Sequence, residues 1–464
     1  MNRLSRTAAA ALAAVLAVVL ALSGCGGGRP EGSTAVPAAD ALETTQGLTE
    51  ITFWHSMDAT NGIALQKLVD QFNAEHAGRI HVTAVFQGTY DDAITKYKAS
   101  VQSDTTPSLV QVYDIGTQFM IDSGQVVPIA DFAERDGYDL DQIQPNIAGY
   151  YSVARRQWSM PLNSSVPLLY YNKDAFRAAG LDPDDPPGNL AEIRAAAERL
   201  SASRGGPVQY GFGAAIYGWL LEQFASTSQQ LWCDAENGRN GERVTQALLD
   251  QPTVVETVGW WQQMTADGLA VNTGRVTKDA QDAFKAGQTA ITLESTGALK
   301  SFATAAEGKF ELGVAPYPVV SGELAPGAGP SIGGASLWIS GLGHTEAEKE
   351  ASWQLVQFLA SPESQAQWHI ETGYFPINTA ALELPQEKEY LAANPSFTVA
   401  IESLRRTELS PTSTGCAAGS MPQIRKASED GLERALIGGD PQESMTKARQ
   451  NVGLTIENYN QAVQ

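Results

Sequence analysis

Apolar and polar residues follow two different periods along the first part of the chain. Residues 80–86 alternate with a period of two, and 51–54 and 109–113 are short apolar runs, so all three are predicted strands. Between them, apolar residues repeat with the 3.6-residue period of a helix, over 90–101 and at Leu65, Leu68, Val69 and Phe72. This order predicts a β-α-β-α-β unit with a parallel sheet and helices on its faces.

Strands and helices continue to alternate until about residue 315, after which the pattern becomes helical. Strands are predicted at 208–213, 290–294 and 310–315, and the chain from about Thr345 is predicted to be nearly all helix. Thr345 and Asp440 each precede a Glu by three residues, as in a capping box. Prolines stand at three predicted first helical positions, namely Pro252, Pro362 and Pro441.

The N-terminal segment is typical of an exported protein. Arg3 and Arg6 precede an apolar run over about 8–22, which is too short to span a membrane comfortably. The following LSGC, ending at Cys25, resembles the lipobox of bacterial lipoproteins, which implies a lipoprotein signal peptide over 1–24 and lipidation of Cys25. The alternative is an ordinary signal peptide with an incidental cysteine.

Composition limits the folded part and its partners. Residues 25–47 are rich in Gly, Pro, Ala and Thr, which predicts a flexible tether before a fold that starts near Leu48. The 464 residues are enough for at least two lobes, and the net charge of −21 argues against a nucleic-acid partner. Cys233 and Cys416 can pair in an oxidising compartment, although sequence alone leaves this open.

Motifs of catalysis are absent from the sequence. The five histidines form no H-E-x-x-H motif, and the chain has no C-x-x-C pair, no G-x-S-x-G elbow and no phosphate-binding G-x-x-x-x-G-K-[ST] loop. A pair of catalytic carboxylates cannot be dismissed by counting acids. The pattern favours a binding protein without metal or cofactor.

Polar and aromatic residues follow several predicted strands, where ligands bind in open α/β sheets. Tyr90 and Asp114 each follow a strand, and Ser295 stands between a strand and a helix, where it can act as a plain N-cap. Gly333 and Gly334 precede another strand and allow close approach to a ligand or a tight turn. Tyr90 and Tyr374 can also be half-buried core residues, and Arg425 can be a solvated helix residue.

The stretch MPLNSSVPLLYYNKDAF, residues 160–176, contains two prolines that flank Asn163-Ser164-Ser165. An apolar, strand-like run and a helix-prone segment follow it. Two adjacent hydroxyls between stiff turns are unusual in a core strand. They predict a crossing between two lobes with a ligand at the crossing.

Several segments resemble the solute-binding proteins of ABC importers, in the carbohydrate-importer class. They are ITFWHSMD, LVQVYDIGTQFM, PLNSSVPLLYYNKDAFRAAGLDP, IGGASLW, WHIETGYFPI and SMPQIR, and the likeness is greatest to members that bind glycerol-3-phosphate. The resemblance implies two α/β lobes joined by hinge strands, which close on ligand like a clamshell, and a helical C-terminal part. Lobe 1 would comprise 48–162 with about 297–342, and lobe 2 would comprise 163–296 with about 343–464.

The resemblance also implies a set of ligand-binding residues. Arg425 would be the main cation for a phosphate, and Trp219 would present an aromatic ring to the ligand. The full set carried over to this sequence is Tyr90, Asp114, Ser165, Trp219, Ser295, Gly334, Tyr374 and Arg425. The helical spacing of four other tryptophans predicts core positions for Trp260, Trp261, Trp353 and Trp368.

The sequence departs from the family pattern at three places. Asp114 stands where Glu is common, the loop GCAAGSMPQIR has no arginine before Arg425, and Asn189 lies where a Trp is expected. Losing a cation and an aromatic puts free glycerol-3-phosphate in doubt. A glycerophosphodiester such as glycerophosphocholine then competes, with Trp219 contacting its ammonium group.

The function implied is that of a monomeric, lipid-anchored receptor outside the membrane. It would capture a glycerophosphoryl compound and deliver it to the permease subunits of an ABC importer. One alternative keeps the fold and changes the ligand to an oligosaccharide. A second alternative is a lipoprotein hydrolase.

Overall fold

Two β-sheets organise the chain, and a computed structural model describes residues 33–463. The first sheet has the strand order β2-β1-β3-β13-β4, with β7 also paired to β13, and the second has the order β10-β9-β11-β8-β12. The strands are β1 (Thr49–His55), β2 (Ile80–Phe86), β3 (Leu109–Tyr113), β4 (Val126–Val127), β5 (Ser152–Val153), β6 (Arg156–Gln157), β7 (Met160–Pro161), β8 (Pro167–Asn172), β9 (Tyr210–Ala214), β10 (Ala270–Asn272), β11 (Thr289–Ser295), β12 (Leu312–Pro316) and β13 (Ala335–Ser340).

Helices cover both sheets and make up most of the C-terminal part. They are α1 (Ala59–Glu75), α2 (Tyr90–Gln102), α3 (Thr117–Asp122), α4 (Ile129–Asp136), α5 (Pro145–Tyr151), α6 (Lys173–Ala178), α7 (Leu190–Leu200), α8 (Gly218–Thr227), α9 (Asp234–Gly238), α10 (Pro252–Ala266), α11 (Thr277–Lys285), α12 (Leu299–Ala306), α13 (Glu346–Leu359), α14 (Pro362–Thr372), α15 (Pro385–Ala393), α16 (Thr398–Arg406), α17 (Met421–Leu436) and α18 (Pro441–Ala462). Of these, α9 is a single turn in which four residues have positive φ. The two-lobed α/β fold with a helical C-terminal part is confirmed.

The predicted β-α-β-α-β unit is also confirmed. β1 pairs in parallel with β2 from Thr49↔Ile80 onwards and with β3 at Phe53↔Leu109. Thr345 forms the predicted reciprocal capping box with Glu348, and Pro252 stands in the first turn of its helix. At Asp440 only half of the predicted box is present in the described structure, because its Oδ1 accepts from the Glu443 N–H at 2.8 Å without a return bond. These features depend on contacts within a few residues or on a simple period, so the sequence alone predicts them well.

The stretch from Pro161 to Pro167 crosses from the first sheet to the second. Beside it, residues 317–334 run back towards the first sheet, and the two segments pair through Ser165 and Gly333. The Ser165 N–H donates to the Gly333 carbonyl at 3.0 Å, and the Gly333 N–H donates to the Ser165 carbonyl at 2.8 Å. The crossing between two lobes that the two prolines and the adjacent hydroxyls predict is therefore present, and Ser165 and Gly333 form an isolated bridge there.

The observed packing differs from the predicted lobe boundaries in two segments. β12, residues 312–316, belongs to the second sheet and does not join the first sheet as expected. α13 and α14 pack on β1 and α1 of the first lobe, although 343–464 had been assigned to the second. The cause is apolar burial, since Trp353 on α13 stacks on Phe132 with ring centroids 5.2 Å apart. α17 and α18 pack on α10 of the second lobe, as expected.

Four tryptophans were predicted to lie in the core. Trp261, Trp353 and Trp368 are fully buried, which confirms the prediction for these three. Trp260 is partly buried and packs its ring edge on Phe212 of the second lobe.

Part of the predicted flexible tether is packed against the first lobe. Ala41 and Leu42 are buried, and the Arg135 guanidinium donates to the Pro37 carbonyl at 2.9 Å. The two apolar side chains remove surface from water, and the cation fixes the backbone beside them. The structure therefore packs residues 37–42 against the first lobe, while a flexible tether stays a prediction for the rest of 25–47 and the predicted signal peptide and Cys25 lie outside the described residues.

A disulfide joins Cys233 to Cys416, which settles the pairing that the sequence left open. It ties the segment after α8 to the segment before α17, 183 residues later. Within residues 33–463, no helix has both the length and the apolar character that a membrane crossing requires.

Candidate functional site

A cavity of about 370 Å³ lies between the two lobes, at the hinge. Its size is within the range of small-molecule sites. Seven of the eight residues predicted to bind ligand line its wall, and they come from both lobes: Tyr90, Asp114, Ser165, Trp219, Ser295, Gly334 and Tyr374.

The strand ends explain why these residues meet. Asp114 directly follows β3, Tyr90 begins the helix that follows β2, and Ser295 is the last residue of β11. Loops at the carboxyl ends of strands form the crevice in open α/β sheets. The hinge segment then adds Ser165 to the same cavity.

Arg425 is the exception, because its charge is already neutralised by protein carboxylates. Its side chain is 4% exposed and does not line the cavity. The guanidinium donates to both Asp114 oxygens at 3.3 and 2.9 Å and to both Glu222 oxygens at 2.7 Å. Burial opposes the cation, but Asp114 and Glu222 outweigh it and hold the pKa of Arg425 well above its usual value. Arg425 therefore lies behind Asp114 instead of lining the cavity, and its expected contact with a ligand phosphate stays a prediction.

A chain of buried amides orients the first-lobe wall. The Ser56 N–H donates to Gln111 Oε1 at 2.7 Å, Gln111 Nε2 donates to Asn163 Oδ1 at 2.7 Å, and Asn163 Nδ2 donates to the Tyr90 hydroxyl at 2.8 Å. Because the Tyr90 oxygen accepts this bond, its own O–H can donate elsewhere. Burial raises the pKa of Tyr90, which keeps the hydroxyl protonated.

Two polar atoms in the cavity wall have no hydrogen-bond partner among the described residues. They are Ser56 Oγ in the first lobe and Trp219 Nε1 in the second, and both are buried. Buried donors without partners are rare in folded proteins. These two donors suit a ligand that offers acceptor oxygens to both lobes at once.

Ser295 is an N-cap, as its alternative interpretation proposed, and it also lines the cavity. Its Oγ accepts from the Gly297 N–H at 3.1 Å, at the start of the short 3₁₀ turn Thr296–Ala298. A hydroxyl that accepts one bond can still donate its proton. A cap and a ligand contact are therefore compatible here.

The two hinge glycines are required by the protein's own packing. Gly334 has φ +98°, and a Cβ there would lie 1.9 Å from the Asn163 carbonyl oxygen. A Cβ on Gly333 would lie 2.5 Å from the Trp219 ring. Gly333 therefore lets the Trp219 ring lie directly against the hinge.

Tyr374 is fixed from behind by two aromatic neighbours in sequence. Its ring stacks on Trp368, with centroids 5.7 Å apart and an interplanar angle of 9°. Its carbonyl oxygen accepts from His369 Nδ1 at 2.7 Å. Tyr374 is therefore a buried residue that also lines the cavity, so a core position and a ligand contact are compatible here.

The bacterial extracellular solute-binding protein model matches residues 67–398, more than half of the chain. This chain belongs to that family. The sn-glycerol-3-phosphate-binding periplasmic protein UgpB of Pectobacterium atrosepticum is 32% identical over 90% of this chain and 93% of its own length. The UgpB of Yersinia enterocolitica is 33% identical over 89% of this chain and 94% of its own.

Solved structures of solute-binding proteins share the fold. Mycobacterium tuberculosis UgpB, crystallised with glycerophosphocholine, superposes with a TM-score of 0.75 at 24% identity, over 89% of this chain and 99% of that one. The GacH receptor of Streptomyces glaucescens gives a TM-score of 0.74 at 18% identity over the same shares. At these identities the likeness concerns the fold.

This solute-binding protein also has residues in the cavity wall, or directly behind it, that the sequence analysis missed. Ser56 lies in the quoted FWHSM segment, so its neighbourhood was noticed although the residue was not. Glu222 is an acid within the apolar helix α8, which was a usable signal for a buried charge pair. Three lysines in the wall, Lys278, Lys285 and Lys300, had no signal beyond helical spacing.

Proposed function

We propose that this solute-binding protein captures glycerol-3-phosphate or a glycerophosphodiester outside the membrane for an ABC importer. The observation that carries the proposal is the interlobe cavity, whose lining residues include a hydrogen-bond donor from each lobe without a partner in the described part of the chain. Such donors suit a ligand with several acceptor oxygens. The relatives above 30% identity, which align along nearly their whole length, are named as binding proteins for glycerol-3-phosphate. A glycerophosphoryl group offers hydroxyls and phosphate oxygens to such donors.

Ligand binding would act through the balance between open and closed lobes. A ligand that contacts both lobes stabilises the closed state in proportion to its differential affinity. Ser56 and Tyr90 would hold it from the first lobe, and Trp219 and Ser295 from the second. The permease subunits would then recognise the closed form, and no covalent step is needed.

Asp114 would accept hydrogen bonds from the glycerol hydroxyls. Its carboxylate lines the cavity while Arg425 holds both of its oxygens in place. The aspartate is shorter than a glutamate by one methylene, and Arg425 fixes that shorter side chain. In this assignment Arg425 supports the site from behind.

An oligosaccharide fits the cavity less well. Trp219 is only 3% exposed, so its ring face is not open for stacking on a sugar. The hydrolase alternative has no further support from the geometry of the wall.

Membrane attachment would come from a lipid on Cys25. Stable anchoring takes more than one acyl chain, and lipidated bacterial cysteines would meet this requirement. We expect Cys25→Ala to give a folded, ligand-competent monomer that leaves the membrane fraction on cell fractionation. A variant that stays firmly bound would contradict the anchor.

Calorimetry on the mature chain tests the ligand proposal. Glycerol-3-phosphate or glycerophosphocholine should bind, whereas maltose-type sugars should not, and incubation should release no hydrolysis product. Tyr90→Phe should weaken binding by about 3- to 10-fold, because one hydrogen bond is lost. Tyr97→Phe is the matched control, since Tyr97 lies on the same helix in the core and not in the cavity. Binding of maltose alone would favour the oligosaccharide alternative.

A further inference from the structure

One wall of the cavity carries a group of lysines on α11 and α12. Lys278, Gln281 and Lys285 are spaced by three and four residues, so they share one face of α11. Lys300, in the first turn of α12, lines the same cavity. This wall is on the second-lobe side of the structure, next to Ser295.

The lysines differ in how well the protein neutralises them. Lys278 is paired with Asp282, and its side chain is largely exposed. Lys285 lies 3.8 Å from the same carboxylate, which already holds Lys278. Lys300 has no carboxylate within ion-pair distance in the described part of the chain, and its nearest polar partner is the Tyr390 hydroxyl at 3.4 Å. Both lysines therefore belong to the cavity wall, and neither has a close carboxylate of its own among the described residues.

Aromatic rings hold these two cations in position. Lys285 Nζ lies 5.8 Å from the centroid of Phe302, and Lys300 Nζ lies 5.3 Å from the centroid of Tyr390. A cation over a ring keeps its charge and loses part of its rotamer freedom before the ligand arrives. Preorganised cations are better suited to an anion than freely solvated lysines.

Glu294 is the acid nearest to this pair within the wall. Its two oxygens accept hydrogen bonds from the Ser295 N–H at 2.7 Å and from Gln281 Nε2 at 3.1 Å. Burial raises the pKa of Glu294, and its two hydrogen bonds and the charge of Lys285 oppose that rise. The acid is held by neutral donors and forms no close ion pair with either lysine.

We propose that Lys285 and Lys300 form the anion subsite of the cavity and hold the phosphate group of the ligand. The proposal rests on the proposed function, and it assigns to these lysines the role that the sequence had given to Arg425. Ser301, also in the wall, adds a hydroxyl donor beside Lys300. The shared chemistry is a phosphate oxygen, in a monoester or a diester.

Calorimetry with glycerol-3-phosphate on the mature chain tests this assignment. Lys285→Met and Lys300→Met should each weaken binding by about 10- to 100-fold, because each loses a charged hydrogen bond. Lys285→Arg and Lys300→Arg keep the charge and should retain most of the affinity. Lys309→Met is the control, since Lys309 is exposed and outside the cavity, and it should bind like the parent.

Inorganic phosphate as a second probe separates this proposal from the proposed function. If the parent binds phosphate, loses it in the double Met variant, but binds no glycerophosphoryl compound, the subsite stands and the ligand proposal fails. If the parent binds glycerol-3-phosphate and the double variant binds it equally well, the subsite is overturned and the ligand proposal stands. Thermal unfolding without ligand identifies a Met variant that has lost its fold. For such a position, the affinity of the Arg variant tests the subsite instead, and it should stay close to that of the parent.

Discussion

Two groups of charged side chains border the cavity, and they differ in what neutralises them. Asp114, Arg425 and Glu222 form a buried cluster in which the guanidinium hydrogen bonds go to carboxylates of the protein. Lys285 and Lys300 lie in the wall with aromatic rings beneath them and little carboxylate compensation. The first group is internally paired, and the second is open to a ligand.

The comparison separates charges that hold the site together from charges available for binding. Burying a charge is costly, so a cation that is 4% exposed must be paired in the ligand-free protein. A lysine at the wall keeps contact with water and can exchange it for a ligand oxygen. A charged residue's role therefore depends on its burial and partners more than on its type.

The largest effect is expected when the paired group is broken. Arg425→Ala leaves Asp114 and Glu222 buried without their cation, which should cost about 3–5 kcal/mol of the free energy of unfolding. Urea unfolding without ligand measures it. Arg275→Ala is the control, because Arg275 forms its ion pairs at a side chain that is 30% exposed and should cost about 0–1 kcal/mol.

The loss in Arg425→Ala should also depend on pH. Burial already raises the pKa of Glu222, and removing the cation raises it further. A carboxyl whose folded pKa is raised stabilises the fold at low pH and loses that contribution as pH rises through the folded pKa. The variant should therefore lose less stability at acidic than at neutral pH. A variant as stable as the parent at every pH would show that the cluster is not structural.

The sequence predicted local features and the positions of most cavity residues, but it did not predict their partners. Helix caps and the three parallel strands depend on short-range patterns. Seven cavity residues follow from strand ends and from the family resemblance. The pairing of Arg425 with Glu222 was not predicted, because the two residues lie 203 positions apart in the chain. The exposure of Lys300 and the packing of Leu42 likewise depend on long-range contacts.

The disulfide is connected to the paired group, because Cys416 precedes the helix that carries Arg425. Replacing Cys233 and Cys416 by Ser should cost about 2–4 kcal/mol of unfolding free energy. Ligand affinity should change little, since neither cysteine lines the cavity. Thermal unfolding and calorimetry measure the two effects. A tenfold or larger loss of affinity would give the disulfide a direct role in shaping the site.

A buried acid–base pair lies behind the part of the cavity wall that contains Lys300. His369 Nε2 lies 3.4 Å from Glu387 Oε1, and Tyr390 separates this pair from Lys300. Burial raises the pKa of Glu387 from 4.5 to about 7 and lowers the pKa of His369 from 6.5 to about 4. Between pH 4.5 and 6.5, the pair carries one proton in both the folded and the unfolded chain. The pair therefore does not change the parent's free energy of unfolding with pH in this range.

Glu387→Gln should reveal how the titration of His369 alone changes stability with pH. A base whose folded pKa is lowered stabilises the fold above its unfolded pKa and loses that contribution as pH falls. The variant should therefore lose about 2 kcal/mol of stability between about pH 6.5 and about pH 5 relative to the parent. Urea unfolding at the two pH values measures this, with exposed Glu383→Gln as the control. If the free energy of unfolding changes with pH equally in parent and variant, Glu387 and His369 are both ionised in the folded protein.

The smallest effect is expected at Ser56, where stability and affinity should change in opposite directions. Its hydroxyl is buried without a partner in the described structure, so Ser56→Ala should leave the ligand-free protein equally stable or slightly more stable. The same change removes a donor for the ligand, and affinity should fall by about 2- to 10-fold. Ser164→Ala is the matched control, because its buried hydroxyl also has no partner there but does not line the cavity. Its stability should respond in the same way and its affinity should not change. If Ser56→Ala binds like the parent, the Ser56 hydroxyl does not contact the ligand, and the first-lobe contacts reduce to Tyr90 and its neighbours.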